Sequence, residues 1–266
     1  MADRLVGIRA KIERAKFHIR EVESRFNTFL ETAPYEITPR KEPNRAKVSH
    51  YVTKYSELPI DIPIIAGEAI HQLRSVLDHL ICQLVESNGG TSHKRNQFPV
   101  FDSPTKIEVG STKWIDGVHP DAIKVIDSIK PYKGGCDDIW ILNKLNNIDK
   151  HRVLLIVTSV VDRIHVDLSA LNDRIEASLP KECFRSFRAN PERLDITVPQ
   201  NCCTITHKGA IIGELDAIDP IVDNNIHFTF EIAFPYDIIN YKRVVPFLHH
   251  LADLVDGIIT QFTLFL

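Results

Sequence analysis

The chain has 266 residues, of which 44% are hydrophobic and 25% charged, and its formal net charge is −3. These values suit a globular fold and exclude a collagen-like chain or a highly charged disordered one. No apolar run reaches the length of a membrane span, because Asp253 and Asp256 interrupt even Val244–Leu266, so no membrane partner is expected.

The opening residues, MADRLVGIRAKIERAK, read as a charged helix and not as a secretory signal. Five cysteines (Cys82, Cys136, Cys183, Cys202 and Cys203) form no CxxC pair. Their odd number and the missing signal point to reduced thiols and a cytoplasmic location. The charge is uneven: residues 1–54 hold 12 Lys/Arg against 7 Asp/Glu, and the remainder 20 against 28. A basic N-terminal part suits either a polyanionic partner or a solvated helix face.

The first predicted element is a helix over Ala2–Glu31. Leu5, Ile8, Ile12, Ala15, Ile19, Val22, Phe26 and Phe29 recur at three- and four-residue spacing there and describe one packing seam. A hairpin follows, with strands at Tyr35–Thr38 and Val48–Tyr55 around the turn material Pro39–Arg45. Pro59 and Pro63 punctuate the start of a second helix, Ile64–Glu86, which Asn88–Gly89–Gly90 ends. Short helices are expected at Ser103–Trp114 and Pro120–Ile129, and Gly134–Gly135 precedes a helix over Asp137–Val157. From Val161 to Pro235 the period changes to two. Ile226, Phe228, Phe230, Ile232 and Phe234 alternate with His227, Thr229, Glu231 and Ala233, a strong strand signal. Weaker strands are expected at Arg163–Leu168, Leu194–Val198, Cys203–His207 and Ala210–Leu215, with a hairpin turn at His207–Ala210. A helix over Tyr241–Leu266 closes the chain, with Val244, Leu248, Leu251, Val255, Ile258 and Phe262 on its seam.

The expected fold class is therefore α+β: a bundle of about four long helices with an antiparallel sheet inserted before the C-terminal helix. A single domain over 1–266 is expected, helical at about 1–158 and 241–266 and β-rich at about 161–235.

Two helices carry polar residues that interrupt this pattern. On the second, Ala66, Leu73, Leu77, Leu80 and Leu84 make the apolar face. Glu68, His71, Gln72, Ser75, Asp78, His79 and Gln83 make the opposite one, with small Ser75 and Cys82 near its middle and no lysine. Arg74 stands at its edge, four residues before Asp78, in ion-pairing position. On the Asp137–Val157 helix, Leu142, Leu145, Asp149, Arg152 and Ile156 follow one stripe, so two charges occupy seam positions. A buried charge is costly unless paired, so Asp149 and Arg152 pair with each other or with Arg74 and Asp78. His151 points elsewhere, near Asn147 and Trp140. Glu68, His71, Asn147, Asp149, His151 and Arg152 are the candidate binding residues. Either these charges form a structural network that fixes helix register, or they face a cavity and act on a ligand.

Motif tests narrow the chemistry. Glu68-Ala-Ile-His71 matches the Glu-x-x-His pair of di-iron carboxylate bundles, but no second pair exists. HExxH, zinc-type Cys/His spacing, phosphate-binding glycine loops and a GxSxG elbow are all absent. His71, Asp78 and His151 are the remaining set for a metal-dependent enzyme. No metal or other cofactor is expected.

One match remains: Arg74-Ser-Val-Leu-Asp-His79 fits Arg-x4-His on a helix. This resembles the signature of the HEPN superfamily, helical domains many of which are metal-independent ribonucleases of defence and toxin systems. The likeness covers these six residues and, more loosely, the helical bundle. The sheet at 161–235 departs from the all-helical family core, and position 75 is Ser where the family often has Asn or Asp. The resemblance implies an endoribonuclease acting on RNA as a homodimer. His79 would be its general acid or base, Arg74 would bind the scissile phosphate, and Ser75 and Asp78 would orient the pair. Residues five apart on a helix stand about 140° apart, so only the length of Arg74 would bring both to one phosphate. The alternative reading is a non-catalytic ligand- or partner-binding protein with a buried structural ion network.

Overall fold

The computed structural model describes residues 4–41, 47–104, 113–151, 158–167, 169, 173, 193–197, 205, 211–216, 226–234, 239 and 242–266. Among them the fold is α+β, with five α-helices and two three-stranded antiparallel sheets. The helices are α1 (Val6–Glu31), α2 (Asp61–Ser87), α3 (Pro120–Ile129), α4 (Asp137–His151) and α5 (Val244–Gln261). The strands are β1 (Glu36–Lys41), β2 (Lys47–Lys54), β3 (Thr158–Asp167), β4 (Arg193–Thr197), β5 (Ile211–Asp216) and β6 (Ile226–Ala233). No helix among the described residues is long and apolar enough to cross a membrane. The chain divides into two compact units, one of Met1–Phe26, Ile60–Ile156 and Val244–Leu266 and one of Asn27–Pro59 and Val157–Arg243.

The first unit is helical. All eight predicted seam residues are buried, Leu5 just before α1 and the seven from Ile8 to Phe29 on it, although the last of them lies past the unit's boundary. On α2 the residues Ala66, Leu73, Leu77, Leu80 and Leu84 are buried as their spacing requires. Asp61 stands in the first turn, where its charge complements the helix dipole, and Pro63 follows where no N–H is needed. The end is a glycine stop: Gly89 takes a positive φ of 83° and the Gly90 N–H returns to the Val85 carbonyl at 3.0 Å. Helix α3 begins with Pro120 at its first position and His119 as cap, and ends at Lys130 in the left-handed region. Ion pairs and hydrogen bonds set α1 antiparallel to α2: Arg4 lies by Glu86, Lys11 by Gln72, His18 by Glu68 and Arg25 by Asp61.

The second unit holds both sheets, in the orders β1-β2-β5 and β4-β3-β6. The predicted N-terminal hairpin thus belongs with the β-rich segment, and β2 pairs with β5 from Lys47↔Asp216 to Tyr51↔Ile211. The alternating run Ile226–Ala233 pairs with β3, from Thr158↔Ala233 to Val166↔Ile226. Tyr35 packs against Phe230, with ring centroids 5.1 Å apart, and donates its hydroxyl to Ser159 Oγ at 2.6 Å. Burial pushes the Tyr35 phenol up to about 12. The folded chain holds that proton more tightly than the unfolded one. The resulting stability is therefore complete below about pH 10 and lost as pH rises towards 12. Denaturant titrations across that window should show a steeper alkaline loss in the natural chain than in Tyr35→Phe.

The helix expected at Ser103–Trp114, the strand at Cys203–His207 and the turn at His207–Ala210 lie wholly or largely outside the described residues. So do Cys183, Cys202, Cys203 and Arg152.

Candidate functional site

Helices α2 and α4 run antiparallel and meet through polar rungs. Arg74 faces Asn143, His71 faces Asn146, and Gly67 faces Asp149. Positions on α4 rise by three as those on α2 fall by three and four, which is the spacing of facing helix turns.

The first rung is the most committed. The Arg74 side chain is buried, with the residue 6% exposed. Its Nε donates to Asn143 Oδ1 at 2.9 Å, Nη2 to the Phe98 carbonyl at 3.0 Å and Nη1 to Asp78 Oδ1 at 2.5 Å. Asp78 Oδ1 also accepts the Phe98 N–H at 2.9 Å. The pair thus binds both backbone groups of Phe98, whose ring is fully buried. The expected Arg74–Asp78 ion pair is present, four residues apart on α2.

The second rung joins His71 Nδ1 to Asn146 Oδ1 at 3.3 Å. An acceptor oxygen there selects the tautomer with its proton on Nδ1. Asn146 is only 3% exposed, whereas His71 is exposed.

The third rung exists because Gly67 has no side chain. A Cβ there would stand 2.8 Å from Asp149 Cγ, so glycine lets the carboxylate settle onto the α2 backbone. Burial first, then repulsion from Glu68, holds the Asp149 carboxyl above its ordinary range, and His71 and Lys150 oppose that rise.

Between α1, α2 and α4 lies a cleft of about 490 Å³, lined by Arg14, His18, Ile64, Glu68, His71, Gln72 and Asp149. This size falls in the range of small-molecule sites. His18 is 4% exposed, and its Nδ1 has no hydrogen-bond partner among the described residues. Glu68 Oε2 lies 3.4 Å from that nitrogen and Glu21 Oε2 lies 3.6 Å from it. Arg14 is drawn over the Phe17 ring at 4.9 Å, and the Gln72 carbonyl oxygen accepts from Lys11 Nζ at 3.3 Å. No group of three or more metal-binding side chains occurs among the described residues.

The remaining candidates lie elsewhere. His79 is exposed, and burial together with Lys11 lowers its pKa, against the pull of Asp78. No hydrogen bond joins it to Arg74 among the described contacts, and Ser75 is half-buried on the same helix. Asn147 is exposed beside a smaller cavity of about 290 Å³ formed with Asp102, Trp140, Asn143, Lys144 and Ile148. The backbone of His151 ends α4, its side chain lies outside the described set, and Arg152 follows beyond it.

The sequence reading missed His18, Asn143 and Asn146, and also Gly67 and Phe98. His18 carried a signal, since it falls three residues after Ala15 and four before Val22, on the α1 seam spacing. The asparagines carried none beyond lying three apart on the helix that holds Asp149. No protein-family model, curated protein or solved structure matches the chain.

Proposed function

We propose that this chain is a non-catalytic binding protein, in which the α2–α4 polar seam is structural and the cleft of α1, α2 and α4 receives a small ligand. One observation carries this reading: all three guanidinium nitrogens of Arg74 donate within the protein, two of them at Phe98 and Asn143 and one at Asp78. An arginine so engaged is a fastening, since a phosphate could claim it only by breaking buried charge-assisted bonds. Asp78 serves the same fastening through its two bonds. The purified chain, incubated with RNA in chelator, is expected to leave the RNA intact. RNA cleavage that disappears in His79→Ala would overturn the proposal.

That outcome would favour a second reading, a HEPN-like endoribonuclease of defence or toxin type working as a homodimer. What supports it is His79 itself. The ring is exposed and its pKa is lowered, so it is neutral at physiological pH and fit to accept a proton. Lys11 lies near enough to depress it electrostatically and would supply a cation that Arg74 cannot.

A further inference from the structure

Helix α4 also lines the smaller cavity of about 290 Å³, through Trp140, Asn143, Lys144, Asn147 and Ile148, together with Asp102. We infer that this cavity binds a small organic oxyanion, a carboxylate or phosphate on an apolar body, through Lys144 and the amide N–H groups of Asn143. The site shares no lining residue with the cleft of α1, α2 and α4.

The donor end of Asn143 is set by its neighbour. Arg74 has only N–H groups to offer, and its Nε donates to Asn143 Oδ1 at 2.9 Å. That bond fixes which end of the amide is which. The oxygen is taken by the buried guanidinium, and Nδ2 keeps two N–H groups that no described residue accepts. The bonds of Arg74 to Asp78 and to the Phe98 carbonyl hold the guanidinium, so the amide is oriented before a ligand arrives.

The charge at this cavity is also uncommitted. Lys144, half-buried on the next residue of α4, and Lys133 each hold an ammonium 5.2 Å from the centroid of the Trp140 ring. Neither makes an ion pair among the described residues. Contact with an indole face leaves the N–H groups of an ammonium able to donate. The carboxylate on the wall is engaged: Asp102 Oδ1 accepts the Trp140 indole N–H at 3.1 Å. Of the acids that open α4, Asp137 accepts the Gly134 N–H at 2.7 Å, and Asp138 Oδ2 lies 2.8 Å from His250 Nε2. Two ammonium groups thus stand against one engaged carboxylate, and the balance favours an anion. Trp140 and Ile148 add an apolar wall for the body of the ligand, in a space larger than a bare ion needs.

Benzoate and phenyl phosphate test the two sources of such an oxyanion, and benzamidine carries the opposite charge on the same ring. Isothermal titration of the full chain should give saturable binding of at least one of the two anions and none of benzamidine. Lys144→Gln should weaken the bound anion by about tenfold or more, the loss of one charged hydrogen bond. Asn143→Asp should weaken it at least as much, because the two donors give way to a carboxylate. That variant still accepts from Arg74 Nε, so its melting temperature should not fall, which a parallel thermal scan verifies. Should it melt early, Lys144→Gln decides alone, since the Lys144 side chain has no hydrogen bond or ion pair to lose among the described residues. No saturable binding of either anion at millimolar concentration, benzamidine bound as well as benzoate, or unchanged affinity in Lys144→Gln would overturn the inference.

Discussion

Asp78→Ala is expected to destabilise the chain by about 3 kcal/mol. For a chain of this size that lowers Tm by roughly 10 °C in a calorimetric scan. The carboxylate is 32% exposed in its side chain, which keeps the estimate at the lower end for a broken pair. Most of the loss comes from what Asp78 leaves behind. Arg74 keeps its charge in a site where its side chain is 8% exposed, and the Phe98 N–H loses its acceptor. Replacing both partners by apolar residues, as in Arg74→Met with Asp78→Leu, should recover much of the stability, because no charge is then stranded. A shift of under about 2 °C in Asp78→Ala would show that the tie is not structural.

Gly67→Val should cost about 2–3 kcal/mol, a value at the upper end for overpacking. Replacing an interior helical glycine ordinarily strengthens a helix, so the direction is itself informative. Here the new Cβ meets the Asp149 carboxylate, and a branched side chain blocks the retreat. Adding Asp149→Ala should return more than half of the loss. Chemical denaturation of the two single variants and the double one measures this as a coupling energy. Gly67→Val equally harmful with and without Asp149 would mean that the contact does not govern the site.

Period was the part of the fold most open to reading from the sequence. The eight apolar positions of the first seam, Leu5 and seven on α1, and the five of α2 recur every three, four or seven residues, and every one is buried. Helix α3 begins and ends at Pro120 and Ile129, where its proline start and apolar spacing put it. Strand β6 followed from alternation alone. Pairing did not follow, because period says which face of a strand is apolar and nothing about its neighbour. Lys47 and Asp216 are partners across most of the chain, and among the described residues the strands form two sheets where one was expected.

At the site, the Arg74–Asp78 pair was legible because four residues on a helix is a local distance. The direction of Arg74 was not. An arginine at the edge of a polar face reads as wet, and its inward partners, the Phe98 carbonyl and Asn143, lie twenty-four or more residues away in the chain. Asn143 and Asn146 were invisible for a similar reason. Asparagine is usually exposed, and each is drawn in by one partner on another helix. The Arg-x4-His pattern itself joins two residues in different surroundings, one fastened in the core and one facing solvent.

The double use of Asp78 Oδ1 also bears on how such a sequence can change over generations. A glutamate would carry the oxygen one methylene further out, and an asparagine would offer the same atom without the charge that Arg74 requires. An altered Arg74 strands Asp78, and an altered Asp78 strands both Arg74 and the Phe98 amide. Neither position has a cheap single step available. Concerted exchange of the pair is thus the change that strands no charge, and the two residues act as one energetic unit that spans a single turn of helix.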